Sequence, residues 1–144
     1  MKKTLIIIAV SAVLFTVTAL FLNNKDDKKT KTTTAPESAT YVQISPEEAK
    51  AVMDSDEGYI ILDVRNPDEF EQGHIPGAIL IPYTEIAEKA PYTLMDKKQT
   101  ILVYCRSGRR SKIASETLAS MGYTDVREFG GINDWPYEIE LSNR

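Results

Sequence analysis

The chain has 144 residues, 42% of them hydrophobic, with one cysteine, one histidine and a formal net charge of −4. That is enough for one ordinary domain, and a lone Cys with a lone His excludes an internal disulfide, a multi-thiolate zinc site and a His-rich metal centre. Residues 1–40 hold six lysines against three acids, whereas residues 41–144 hold eleven Lys/Arg against eighteen Asp/Glu, so the body is acidic and bulk nucleic-acid binding is excluded as its role.

The chain opens "MKKTLIIIAVSAVLFTVTALFLNN". Lys2 and Lys3 precede an uncharged run, Thr4 to Leu22, long enough to cross a bilayer as a helix. The same run is compatible with a secretory signal cut after "VTA" (17–19). The apolar Leu20, Phe21 and Leu22 that follow favour an uncleaved anchor. Lysines flank the run on both sides, so charge counting leaves the orientation open. The short basic start has the form of an export signal. The expectation for residues 1–22 is a signal peptide or transmembrane anchor, with the domain outside the cytoplasm: membrane-anchored, or periplasmic or secreted if the signal is cut. Residues 23–40, "NNKDDKKTKTTTAPESAT", lack large apolar side chains and read as a disordered tether.

A domain is expected over 41–142. "YVQI" (41–44) reads as a short strand, and "SPEEAKAVM" as a helix with Ser45 as N-cap, Pro46 at the first position and acids in the first turn. "YIILDV" (59–64) is an apolar strand, "NPDEFEQG" (66–73) a helical turn, and "AILIPY" (78–83) a strand followed by a helix from Thr84 to about Ala90. "TILVY" (100–104) has the continuous apolar character of a strand covered on both faces. Ile113, Ala114, Thr117, Leu118 and Met121 repeat at helical spacing from about Arg109, with Gly122 placed to end the helix. "DVREF" (125–129) is a last strand, and "GGINDW" (130–135) turns into a closing helix. Strands alternating with helices imply an α/β domain, a parallel sheet with helices on both faces. Such sheets bind ligands at the carboxyl ends of their strands.

The lone Cys105 falls at such an end, and "CRSGRR" (105–110) must curl before the next helix begins. Gly108 permits the tight curl. Successive N–H groups in a loop of that kind turn inward as an anion nest, and the helix that follows adds the positive end of its dipole. Four of the eleven positive charges of residues 41–144 lie here, as Arg106, Arg109, Arg110 and Lys112. Such surroundings favour thiolate over thiol, lowering a cysteine from about 8.5 to about 3.5–7.5. Cys105 is therefore expected to be a reactive nucleophile without a histidine partner, with one of the arginines, Arg109, equally compatible with a solvated ion pair. Ser107 and Ser111 can donate to a bound anion or cap the helix.

Three segments, "DVRNPDEFEQGHIPGA" (63–78), "CRSGRR" (105–110) and "GGINDW" (130–135), in this order and spacing, resemble the rhodanese-type sulfurtransferases over about residues 41–142. The resemblance implies a three-layer domain with a five-stranded parallel sheet flanked by helices. It implies Cys105 as the catalytic residue and Arg106, Ser107, Gly108, Arg109 and Arg110 as the substrate-cradling loop. It also implies the reaction: the thiolate takes the outer sulfur of a donor such as thiosulfate, sulfite leaves, and the Cys105 persulfide passes sulfur to cyanide, a thiol or a protein acceptor. That is covalent catalysis of the ping-pong kind, with no cofactor and no metal. A small single domain is expected to be a monomer.

Alternatives from other classes remain open at the level of sequence. A non-catalytic sulfur carrier or partner-binding module would use the same face. A cysteine phosphatase needs an arginine six residues after the cysteine, and position 111 is Ser111. The loop is one residue short for phosphate. Arsenate reduction lacks a second cysteine to resolve its intermediate. Asp63 and Arg65 are expected to pair or to orient the loop, His74 to stabilise a turn, and Trp135 to anchor the core.

Overall fold

The computed structural model describes residues 40–55 and 58–142. The expected anchor at 1–22 and the expected tether at 23–40, apart from Thr40, lie outside them. Among the described residues no helix is long and apolar enough to cross a membrane.

The elements run β1 (Val42–Gln43), α1 (Pro46–Ser55), β2 (Tyr59–Asp63), α2 (Pro67–Glu71), β3 (Ile79–Leu80), α3 (Ile86–Thr93), β4 (Thr100–Cys105), α4 (Arg109–Ser120) and β5 (Val126–Gly131), with short helical turns at Tyr83–Glu85 and Ile132–Asp134. The start of α1 is a reciprocal cap. Ser45 Oγ accepts the Glu48 N–H at 3.1 Å, and the Glu48 carboxylate accepts the Ser45 N–H at 2.7 Å.

The five strands pair in parallel, in the order β1-β5-β4-β2-β3. This is the expected five-stranded α/β sheet. Every residue of central β4 is buried. Alternate side chains feed two cores. Leu62, Val64, Val103 and Val126 pack with Ile86, Ala90, Ala114 and Leu118 of α3 and α4. Ile61, Leu102, Tyr104 and Phe129 pack on the other face with Ala49 of α1 and Trp135. Each fully buried Leu, Ile or Phe contributes about 1.5–3 kcal/mol by leaving water.

Three expectations shift. The strand expected over 78–83 shrinks to Ile79–Leu80 at the sheet edge, since Pro82 has no N–H to donate. The chain still follows β2: Ile81 N–H reaches Asp63 O at 3.0 Å and Tyr83 N–H reaches Val64 O at 3.1 Å. Helix α3 runs past Ala90 to Thr93 with Pro91 inside it. The expected closing helix at 130–135 is replaced by an extension of β5 through Gly131 and then the single turn Ile132–Asp134.

That extension carries a bulge. Val103 pairs with Glu128, but Cys105 pairs with Gly131, so β5 spends one more residue than β4 over this stretch. The peptide after Cys105 lies flat on the bulged strand. A Cβ on Gly131 would sit 2.1 Å from the Arg106 carbonyl oxygen and 2.5 Å from the Ser107 nitrogen.

Candidate active site

Strand β4 delivers Cys105 to the carboxyl end of the sheet, 1% exposed. The chain then reverses through Ser107 and Gly108 into α4. Gly108 is the N-cap and has φ 92°, a left-handed conformation that costs a side chain energy. This curl aims the Gly108 N–H at Cys105 Sγ, 3.2 Å away. Ser111, in the first turn of α4, sets its hydroxyl 3.5 Å from the same sulfur.

Burial is the largest influence on the thiol and pushes its pKa up; hydrogen bonds from the Ser111 hydroxyl and from the Ser111, Ser107 and Gly108 N–H groups outweigh it and hold the thiol below its ordinary value. The direction is the one the sequence implies, but the donors on the sulfur are amides and a hydroxyl. The arginines stand further out. Arg106 and Arg109 are exposed. Arg110 spends its guanidinium on Glu69 of α2, Nη1 to Oε2 at 2.6 Å and Nη2 to Oε1 at 2.8 Å. Its charge still senses an ionised Cys105, which helps to raise the Arg110 pKa behind the larger effect of Glu69. The bond to Arg110 in turn lowers Glu69 to about 2.

The loop is held from both sides. Gly131 lies beneath it, and the Asn133 N–H donates to the Arg106 carbonyl at 3.2 Å. The "DVR" segment fixes the neighbouring strand end: Arg65, 5% exposed, makes a two-oxygen pair with Asp63, with Nη2 2.6 Å from Oδ2, and reaches the Gly73 carbonyl at 2.7 Å. Between these edges lies a cavity of about 340 Å³, lined by Arg65, Glu69, Gly73, Arg106, Ile132 and Asn133 among others. A larger cavity of about 790 Å³ opens at the opposite end of the sheet, by Tyr59, Pro76 and Thr93, and touches none of the loop residues.

The structure thus brings Cys105, Ser107, Gly108 and Ser111 around one point, with Arg106 exposed on the cavity lining and Arg109 exposed away from it. His74 stabilises its turn: Nδ1 donates to Phe70 O at 3.0 Å and the ring stacks on Phe70 at 3.7 Å. Trp135 is 8% exposed, packs on Phe129 and donates Nε1–H to Glu138 O at 3.1 Å. Sequence reasoning passed over two residues. Glu69 was visible only as an acid in a helical first turn. Glu128 interrupts the last strand, "DVREF", and lies buried behind the loop at 2% exposure.

A family model described as "Rhodanese-like domain" matches residues 45–137. The chain is 45% identical over 73 residues to the thiosulfate sulfurtransferase PspE of Escherichia coli, covering 51% of this chain and 70% of that protein. It is 38% identical over 99 residues to the putative sulfur carrier protein YrkF of Bacillus subtilis, covering 68% of this chain and 52% of that one. A solved structure described as rhodanese with anions from E. coli superposes with a TM-score of 0.56 at 39% identity, over 58% of this chain and 99% of that one. With the parallel sheet, the curled loop after β4 and the glycine bed beneath it, these matches mean that the chain belongs to the rhodanese-like family, in which it has sulfurtransferase relatives.

Proposed function

We propose that this chain is a thiosulfate sulfurtransferase that carries sulfur as a persulfide on Cys105. The observation that carries the reading is the amide cradle: the Gly108 N–H at 3.2 Å from Sγ, with the Ser107 and Ser111 N–H groups beside it, favours the thiolate without any cationic side chain on the sulfur. The thiolate attacks the outer sulfur of thiosulfate. A new S–S bond forms on Cys105, and the donor S–S bond breaks with its electron pair leaving on sulfite. Cyanide, a thiol or a protein acceptor then removes the outer sulfur and regenerates the thiolate. Arg106, at the mouth of the 340 Å³ cavity, and the Ser107–Arg110 peptide are the groups that meet the oxyanion end of the donor. Arg110 attracts it through its charge while held by Glu69.

The test is intact mass of the full chain after thiosulfate, followed by thiocyanate release on adding cyanide. One added sulfur on Cys105, cyanide-dependent turnover, and loss of both in Cys105→Ser are expected. Absence of the added mass in the wild-type protein sinks the reading. The resemblance to a putative sulfur carrier supports a second reading, storage without turnover. It predicts a stable adduct that cyanide does not discharge. The Lys2–Lys3 start and the apolar run to Leu22 support an exported, membrane-tethered placement, which fractionation of expressing cells tests by tracking the domain to membrane, periplasm or cytosol.

A further inference from the structure

Ser111 Oγ is crowded by three acceptors and the Cys105 thiol. Glu128 Oε1 lies 2.6 Å away, the Gly108 carbonyl 3.0 Å, the Gly130 carbonyl 3.2 Å and Cys105 Sγ 3.5 Å. A hydroxyl has one proton to give and lone pairs to receive with. The contact with Glu128 is the shortest and has the length of a hydroxyl bonded to a carboxylate. Once that proton points at Glu128, Ser111 offers a lone pair to its remaining neighbours. Two of those are carbonyl oxygens with no hydrogen to give; only Cys105 can donate. With Glu128 protonated the chain of donors reverses: the carboxyl O–H points at Ser111, and the Ser111 O–H points at the sulfur. The two arrangements differ by one proton moved along Sγ, Oγ and Oε1.

The position of Glu128 calls for a role. It lies on the face of β5 that Val126 shares with the apolar side chains of α3 and α4, where a buried carboxylate is costly unless it is compensated. Its described hydrogen-bond partners carry no full positive charge: Ser111, the Gly130 N–H at 2.9 Å and the Gln43 side-chain amide at 2.9 Å. Arg127 turns its guanidinium to Asp125. The other ionisable groups facing Glu128 are Tyr41 before β1, Lys112 of α4 and Asp134 of the last turn, the latter two lining a cavity of about 360 Å³ beside it. On the sulfur side stands Arg110.

We infer that Glu128 accepts the proton of Cys105 through the Ser111 hydroxyl. The S–H bond breaks, its proton binds Ser111 Oγ, and the proton already on Ser111 passes to Glu128 Oε1. Thiol and carboxylate become thiolate and carboxylic acid, with no change of net charge in the buried site and no oxidation or reduction. Glu128 keeps the proton while sulfur enters and leaves Cys105. The use made of the thiolate rests on the sulfurtransferase reading; the proton transfer itself needs no donor. Glu128 touches neither sulfur nor substrate, so it is a positioning residue acting through Ser111.

The experiment compares the purified full chain with Glu128→Gln, Ser111→Ala and Cys105→Ser, reading the pH profile of iodoacetamide alkylation and the infrared C=O band of a protonated carboxylic acid. The wild-type protein is expected to show the acid band at neutral pH, and Glu128→Gln and Cys105→Ser to lack it. Glu128→Gln and Ser111→Ala are expected to alkylate about tenfold more slowly at neutral pH, their profiles displaced upward by about one unit. A carboxylate acting only as a buried negative charge gives the opposite sign, because removing it would favour the thiolate. Unchanged or faster alkylation in Glu128→Gln overturns the proposal. If that variant fails to fold, the acid band in wild type against Cys105→Ser decides: equal bands, or none in either, overturn it. Failure of the sulfurtransferase reading is seen separately, as no sulfur added to Cys105 in a protein whose alkylation and infrared results stand.

Discussion

Glu69 and Arg110 join α2 to α4 through two hydrogen bonds, 2.6 and 2.8 Å long, at the edge of the Cys105 loop. The arginine is therefore fixed in place while its charge still acts on the sulfur. Arg110→Ala is expected to raise the KM for thiosulfate about tenfold, a loss of about 1.4 kcal/mol, with kcat changed much less. Arg109→Ala, which removes an exposed side chain, should move KM less than about twofold. Steady-state thiocyanate formation distinguishes the two, and equal, negligible effects would remove Arg110 from donor binding.

The same pair makes a statement about acid. Glu69 titrates at about 2 in the folded protein against 4.5 unperturbed, chiefly because of its hydrogen bonds to Arg110. A carboxyl with a depressed folded value stabilises above its unfolded pKa, and loses that contribution as pH falls from about 4.5 towards 2. The pair is partly solvated, so the contribution is about 1 kcal/mol and not the full value of the shift. Urea midpoints measured across that window should fall more steeply for wild type than for Glu69→Gln. Parallel curves would contradict the assignment.

Gly131→Ala is a sharper test of how the loop is seated. The added Cβ would lie 2.1 Å from the Arg106 carbonyl, and the obstacle is backbone, which cannot rotate away. Overpacking of this kind costs about 1–3 kcal/mol. A displacement of about 1 Å in the amides around Cys105 lowers activity about a hundredfold. Activity should fall far more than the melting temperature; retention of full activity would show that the loop is not seated on β5.

Asp63 and Arg65 form a buried pair, 0% and 5% exposed. Asp63→Ala leaves the guanidinium buried with the Gly73 carbonyl as its remaining described hydrogen-bond acceptor, beside the Tyr104 ring, and a loss of about 3–5 kcal/mol is expected. Chemical denaturation measures it. Removal of both partners should be milder than removal of Asp63 alone, since the uncompensated charge is the costly part.

Much of this was legible in the chain. The run "TILVYC" is apolar at both alternating sets of positions, and central β4 is buried throughout. Ser45, Pro46 and Glu48 announced the start of α1, which the structure closes with a reciprocal cap. The curl at Gly108 was also readable, because a glycine between a strand and a helix has few other uses. What sequence could not supply was long-range pairing. Arg110 looked available until Glu69, 41 residues earlier, was found opposite it. Gly130 and Gly131 read as a turn, yet Gly131 is extended strand that is glycine because another peptide rests on it. Glu128 was not readable from its neighbours, since apart from the Gly130 N–H its described hydrogen-bond partners come from β1 and α4.

The contact between the Arg106–Ser107 peptide and Gly131 has one more consequence. Backbone lying directly on backbone at the carboxyl end of a sheet has no soft side chain through which to give way. The amides around Cys105 are set in position when the protein folds, so a reaction of the proposed kind would have no reorganisation to repeat at each turnover. On the sulfurtransferase reading, no lid has to close to assemble these donors around the buried Cys105.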